Sequence, residues 1–204
     1  MKKKFLVIFV LLASVLFFQP AGYCAGAPVD RVRDMLEAVM AVQAQPQLQG
    51  PEFREKRRIA IKKIISENFD LDKMAVQSLD SSWKQLSDSR RREFKEIFRD
   101  LFQDSYTRLV LDFLRQEKIL YLKEDPGKDG ILVETMILRT NEEISVNYLI
   151  SPLKEGGLVQ DVVIDGVSIV GNYRKSFARF IQRESYEALL ERMRVQQRAI
   201  EGNP

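Results

Sequence analysis

Few side chains in this sequence are placed to do chemistry, and most of them lie in its second half. Asp161 and Asp165 stand four apart in the stretch DVVIDGVSIVGNYRKSF, Asp161 to Phe177. On an ideal strand that spacing puts both carboxylates on one side. Such a pair could work as an acid–base couple, or it could serve an edge or cap the turn that Gly166 marks. Arg174 follows Asn172 and Tyr173 at the expected start of a helix. A cation there opposes the helix dipole, so it calls for a carboxylate, Asp161 or Asp165, or for an anionic ligand. Tyr106, Tyr148 and Tyr173 each carry a polar tip on an apolar body. A buried tyrosine bonds a backbone carbonyl, or at a pocket mouth it donates to a ligand oxygen. General acid–base catalysis uses histidine most often, and the chain has none. Cys/His metal sets and calcium-loop spacing are absent too, so neither enzyme activity nor a cofactor is expected.

The second candidate is apolar. Between Ser87 and Leu114, Phe94, Ile97, Phe98, Leu101, Phe102, Ser105, Leu109, Val110 and Phe113 recur at helical spacing. They make one face of a long helix, with Ser87 as its N-cap. Such a stripe is core, or the wall of a pocket, or both along its length.

Other elements must position these residues. Val32, Met35, Leu36, Val39 and Met40 predict a helix over Val29–Val42, broken near Pro46, Gly50 and Pro51. Ile59, Ile61, Ile64 and Ile65 predict a second. Asn68 or Asp70 caps a short third carrying Leu71, Met74 and Ala75. Strands are expected over Ile119–Lys123, Ile131–Leu138, Glu143–Ile150 and Leu158–Ile169, separated by DPGKDG, RTNE and KEGG. Connections this short favour an antiparallel meander. Ile144, Val146, Tyr148 and Ile150 alternate with polar residues, so that strand has one apolar face. Helices around Tyr173–Arg183 and Ser185–Arg198 close the chain. The pattern is α+β, with helices on one face of a four-stranded antiparallel sheet.

Lys2, Lys3 and Lys4 precede an apolar run, Phe5–Phe18, and small residues follow: a secretory signal peptide, with cleavage expected after Gly26. Residues 27–204 then form one domain, long enough for a core. Tyr23 before Cys24 does not suit lipidation, and removal of the signal leaves no cysteine, hence no disulfide. Of the 32 Lys and Arg, three lie in the signal, leaving 29 against 29 Asp and Glu. A neutral chain is not expected to bind nucleic acid. Arg90–Arg92 and the run Arg54–Lys63 read as solvated faces, or as docking patches for an acidic partner or an anionic bilayer.

Three segments resemble the MlaC/toluene-tolerance family of periplasmic phospholipid-binding proteins. They are NFDLDKMA (Asn68–Ala75); Trp83 to Leu109, with Leu86-Ser87, Phe94, Phe98, Leu101 and Tyr106; and DVVIDGVSIVGNYRKSF. Gly157, Leu158, Val159 and Gln160 stand where similar proteins often carry aromatics, so pocket lining or mouth differs. The resemblance implies a nuclear-transport-factor-2-like cone with an apolar cavity between curved sheet and helices. It also implies a monomer that shuttles phospholipid across the periplasm. The implied partners are an outer-membrane lipoprotein/porin complex and an inner-membrane ABC transporter with an MCE-domain subunit. On this reading Phe94, Phe98, Leu101, Phe102, Tyr106, Val133, Ile144, Val146, Tyr148, Val163, Tyr173 and Arg174 contact lipid. Asp at position 98 or 101 should then abolish lipid binding while sparing secretion. The rival readings are a carrier of hopanoid or another lipid, a chaperone or adaptor with an open groove, and a small-molecule enzyme with an acid–base pair deep in the cavity.

Overall fold

A computed structural model describes residues 27–152 and 157–201. The signal segment, Cys24 and most of the KEGG turn lie outside the described residues. Helix α1 spans Pro28–Ala44, α2 Arg54–Asn68, α3 Leu71–Leu79 and α4 Asp88–Phe113. Strands β1 (Lys118–Pro126), β2 (Ile131–Arg139), β3 (Glu142–Ile150), β4 (Val159–Ile164) and β5 (Val167–Ser168) follow, then α5 (Ile169–Arg183) and α6 (Tyr186–Glu201). The helix starts follow the capping chemistry. Asp70 accepts from the Lys73 amide at 3.0 Å, and Ser87 accepts from Arg90 at 3.4 Å.

The strands pair in chain order, all antiparallel. The sheet thus has five strands rather than four, because the segment read as one strand from Leu158 to Ile169 folds back on itself. Asp165 (φ 47°) and Gly166 (φ 80°) form a two-residue turn in the left-handed region, which hairpins favour. Gly130 is needed at the other end of the sheet. A Cβ there would sit 2.2 Å from the Ile150 carbonyl oxygen.

Helix α5 also starts earlier than the sequence suggested. Ser168 caps it, its hydroxyl accepting from Gly171 at 2.8 Å. Asp161 accepts from the Val170 amide at 3.0 Å and from the Ser168 hydroxyl. The strand-to-helix signature is therefore a cap built from the preceding strand. Arg174 lies beyond the first turn, exposed, where the dipole no longer demands compensation. The expected ion pair with Asp161 or Asp165 does not form. Asp165 bonds the Ser145 amide at 3.1 Å instead.

Two register shifts, near Leu122 and near Gln160, interrupt the ladders; bulges of this kind bend strands and increase twist. The core runs continuously from α1 through the helices to the inner sheet face. Helix α4 packs against α2, α3 and α6. Its carboxylate Asp104 is buried and accepts from Lys62 at 2.8 Å and Arg58 at 3.1 Å, which ties α2 to α4. Charges in the basic runs are largely used within the fold. Arg54 pairs with Asp112, Arg90 with Glu187 and Arg91 with Asp88.

Candidate functional site: an apolar cavity between helices and sheet

Register decides which strand residues face the helices. Ile144 pairs with Ile137, Val146 with Ile164, and Tyr148 with both Val133 and Val162. Paired residues share a face, so these side chains form the inner surface. Asn147 pairs with Val163 on the outer surface.

A cavity of about 260 Å³ lies between that inner surface and the helices. Met35, Leu36 and Val39 of α1 line it, with Ile64, Ile65 and Phe69 from α2 and its end. Tyr106, Leu109, Val110, Phe113 and Leu114 come from the last turns of α4 and its end. Ile137 and Arg139 come from β2, Ile144, Val146 and Tyr148 from β3, Val162 and Ile164 from β4, and Ile169 from the start of α5. The wall is almost wholly carbon. Among the described residues, its polar side-chain groups are the hydroxyls of Tyr106 and Tyr148 and the guanidinium of Arg139.

Each of these groups has a distinct setting. Burial raises the Tyr106 hydroxyl far above its ordinary pKa, helped by Tyr173, to which it donates a hydrogen bond. Burial also raises Tyr148, with a smaller contribution from Tyr121. No hydrogen-bond partner for the Tyr148 hydroxyl occurs among the described residues. Both tyrosines therefore stay protonated; the Tyr148 hydroxyl can donate to a ligand oxygen, whereas the Tyr106 hydrogen is already given to Tyr173. Arg139 sits at the rim, its guanidinium carbon 5.8 Å from the centre of the Phe113 ring. Phe113 and Leu109 are 53% and 38% exposed, which marks their end of the cavity as its mouth.

One interaction holds this mouth. The Gln43 amide of α1 donates to the carbonyls of Val110, Leu111 and Leu114, at 3.2, 3.2 and 2.9 Å. It adds to the Val110 carbonyl, which already accepts from the Leu114 amide, engages the two later carbonyls at the end of α4, and fixes that end against α1.

Of the residues expected to contact lipid, Tyr106, Ile144, Val146 and Tyr148 are on the wall. Phe94, Phe98, Leu101 and Phe102 are not. They are buried in the helical core, where Phe94 meets Phe177 and Tyr186 with ring centres 6.0 and 6.4 Å apart. Tyr173 packs on Phe98 at 5.4 Å and reaches the cavity only through Tyr106. Val133 is fully buried beside Tyr148, Val163 is on the outer face, and Arg174 is exposed with no ion pair among the described residues. The α1 and α2 contributions were visible as apolar helix positions, but nothing in the sequence set them opposite the sheet. Asp161 and Asp165 spend their carboxylates on backbone and Ser168 donors.

Helices closed on one face of an antiparallel sheet, around an internal carbon-lined cavity, define an α+β cone. A phospholipid-binding protein from Ralstonia solanacearum, solved in complex with a phospholipid, shares this fold with a TM-score of 0.73. Identity is 17%, and the match covers 86% of this chain and 99% of that one. A search of curated proteins finds no significant match. The profile of the MlaC protein family matches residues 33–195, and the chain belongs to that family.

Proposed function

We propose that this protein is a lipid carrier that holds a phospholipid by its acyl chains and exchanges it between membranes. The observation that carries this reading is the wall of the cavity, which offers carbon nearly everywhere and, among the described residues, polar side-chain groups only at Tyr106, Tyr148 and Arg139. Family membership and the phospholipid in the R. solanacearum structure support the ligand class. The finer reading is a periplasmic shuttle, secreted through residues 1–26, that makes and breaks no covalent bonds. It works as a monomer between an outer-membrane lipoprotein/porin complex and the MCE-domain subunit of an inner-membrane ABC transporter.

Size sets a condition. The cavity, about 260 Å³, is at the small end of ligand sites, which run from roughly 300 to 1,000 Å³. Two chains therefore enter only if the α1–α4 wall parts from the sheet. Against water, burying on the order of 30 methylenes at about 0.8 kcal/mol each is worth roughly 24 kcal/mol. That exceeds the practical affinity ceiling of about 18–21 kcal/mol. The true competitor is a bilayer, which is as apolar as the cavity, so net transfer is close to balanced. Direction then comes from partners that favour the open or the closed state by differential binding.

Native mass spectrometry of the protein secreted to the periplasm, followed by organic extraction, tests the reading. An adduct of phospholipid mass is the expected result. A hopanoid mass would keep the carrier and change its cargo. A folded protein without adduct would favour an open-groove chaperone.

A further inference from the structure

The mouth carries a charge arrangement that the apolar cavity alone does not explain. Among the described residues, Arg139 is the one charged residue on the wall. It lies between two carboxylates, with Nε 3.7 Å from Glu117 Oε1 and Nη1 3.9 Å from Glu142 Oε2. Both distances exceed those of charge-assisted hydrogen bonds, roughly 2.7–2.9 Å. The guanidinium is thus oriented without being saturated. Phe113 supports it from the cavity side. Glu117 is 15% exposed and fixed by the Arg115 amide at 2.5 Å, whereas Glu142 is 60% exposed. The cation on the wall of the apolar chamber is therefore flanked by two carboxylates that stand just behind the lining.

We propose that this triad selects the headgroup, favouring a zwitterionic aminophospholipid over an anionic or a neutral lipid. The inference rests on the carrier reading above. A phosphodiester suits the planar fork of Arg139, which can present two parallel donors. An ammonium a few bonds further out suits Glu142 and Glu117. A glycerol headgroup carries the same phosphodiester anion but offers no cation to the carboxylates, and a neutral polycyclic lipid leaves all three groups unserved. Discrimination then comes from the ammonium–carboxylate attraction that the glycerol lipid lacks.

The test uses the full secreted chain, stripped of lipid. It is incubated with vesicles of equimolar phosphatidylethanolamine and phosphatidylglycerol carrying identical chains, and the bound lipid is then extracted. Wild type should take up the ethanolamine lipid with about two- to fivefold enrichment, the scale of partly exposed ion pairs. Arg139→Gln should remove the preference and lower occupancy, with Arg139→Lys between the two. Glu117→Gln and Glu142→Gln should move the ratio toward phosphatidylglycerol. Glu142→Gln, at an exposed site, keeps the test open should Arg139→Gln fail to fold. Uptake in the vesicle's own ratio by wild type overturns the selector, as does an unchanged ratio in all three Gln variants. Either result leaves the carrier standing. No uptake of lipid by wild type would instead remove the carrier reading, and the selector with it.

Discussion

The two halves of α4 have the same apolar spacing and opposite fates. In the first half, Phe94, Phe98 and Phe102 form a ladder of stacked rings with centres 6.0 and 5.9 Å apart. Phe69, Tyr173, Phe177 and Tyr186 close on this ladder from neighbouring elements, and burial beside Glu93 pushes the Tyr186 hydroxyl up to about 12. In the second half, Tyr106, Leu109, Val110 and Phe113 face Ile137, Ile144 and Val146 across a gap. Aromatic rings from adjacent helices fill the first interface. Aliphatic side chains rising from the sheet are too short to fill the second. A helical stripe thus tells which face is dry, and only the opposing surface tells whether it is core or container.

The largest effect expected from this contrast is Phe98→Asp, a carboxylate placed in the closed half. It should prevent folding and secretion, in contrast to the lipid-specific loss that the sequence suggested, and periplasmic yield measures it. Phe98→Ala should cost about 3–5 kcal/mol by urea denaturation, since a packed ring leaves a void behind. Val110→Ala, on the open half, should cost less than about 1 kcal/mol, because the side chain already borders empty space. Equal losses at the two positions would erase the distinction.

A buried polar group on the sheet sharpens the comparison. Gln160, the extra residue of the second bulge, is fully buried, and neither atom of its amide has a partner among the described residues. Gln160→Leu should stabilise the protein by about 1–2 kcal/mol, as removing an unsatisfied buried amide does; a loss of stability would show that the amide is bridged. The smallest effect belongs to Tyr148→Phe. Melting should change by less than about 0.5 kcal/mol, because no protein bond is lost. Weaker lipid retention in that variant would place the hydroxyl on the ligand.

Much of the fold was legible. Period and turn chemistry located the helices and the meander, and Asp70 and Ser87 capped where expected. The fifth strand escaped because Val167 and Ser168 continue an apolar run past a two-residue turn. The cavity was legible only in part. Strict alternation on β3 put Ile144, Val146 and Tyr148 on one apolar face, and that face lines the cavity. On β4, Val162, Val163 and Ile164 are all apolar, so parity could not be read, and the wall falls to Val162 and Ile164. Arg139 gave no local signal. Its place at the mouth arises from the β2–β3 hairpin meeting the end of α4.

The most direct test is photocrosslinking with a phospholipid that carries a diazirine in its acyl chain, mapped by tandem mass spectrometry. Crosslinks should fall on Met35, Ile64, Val110 and Ile144, and none on Phe94 or Phe98. Crosslinks confined to Leu132, Met136 and Val163 on the outer sheet face would contradict the cavity as the lipid's seat.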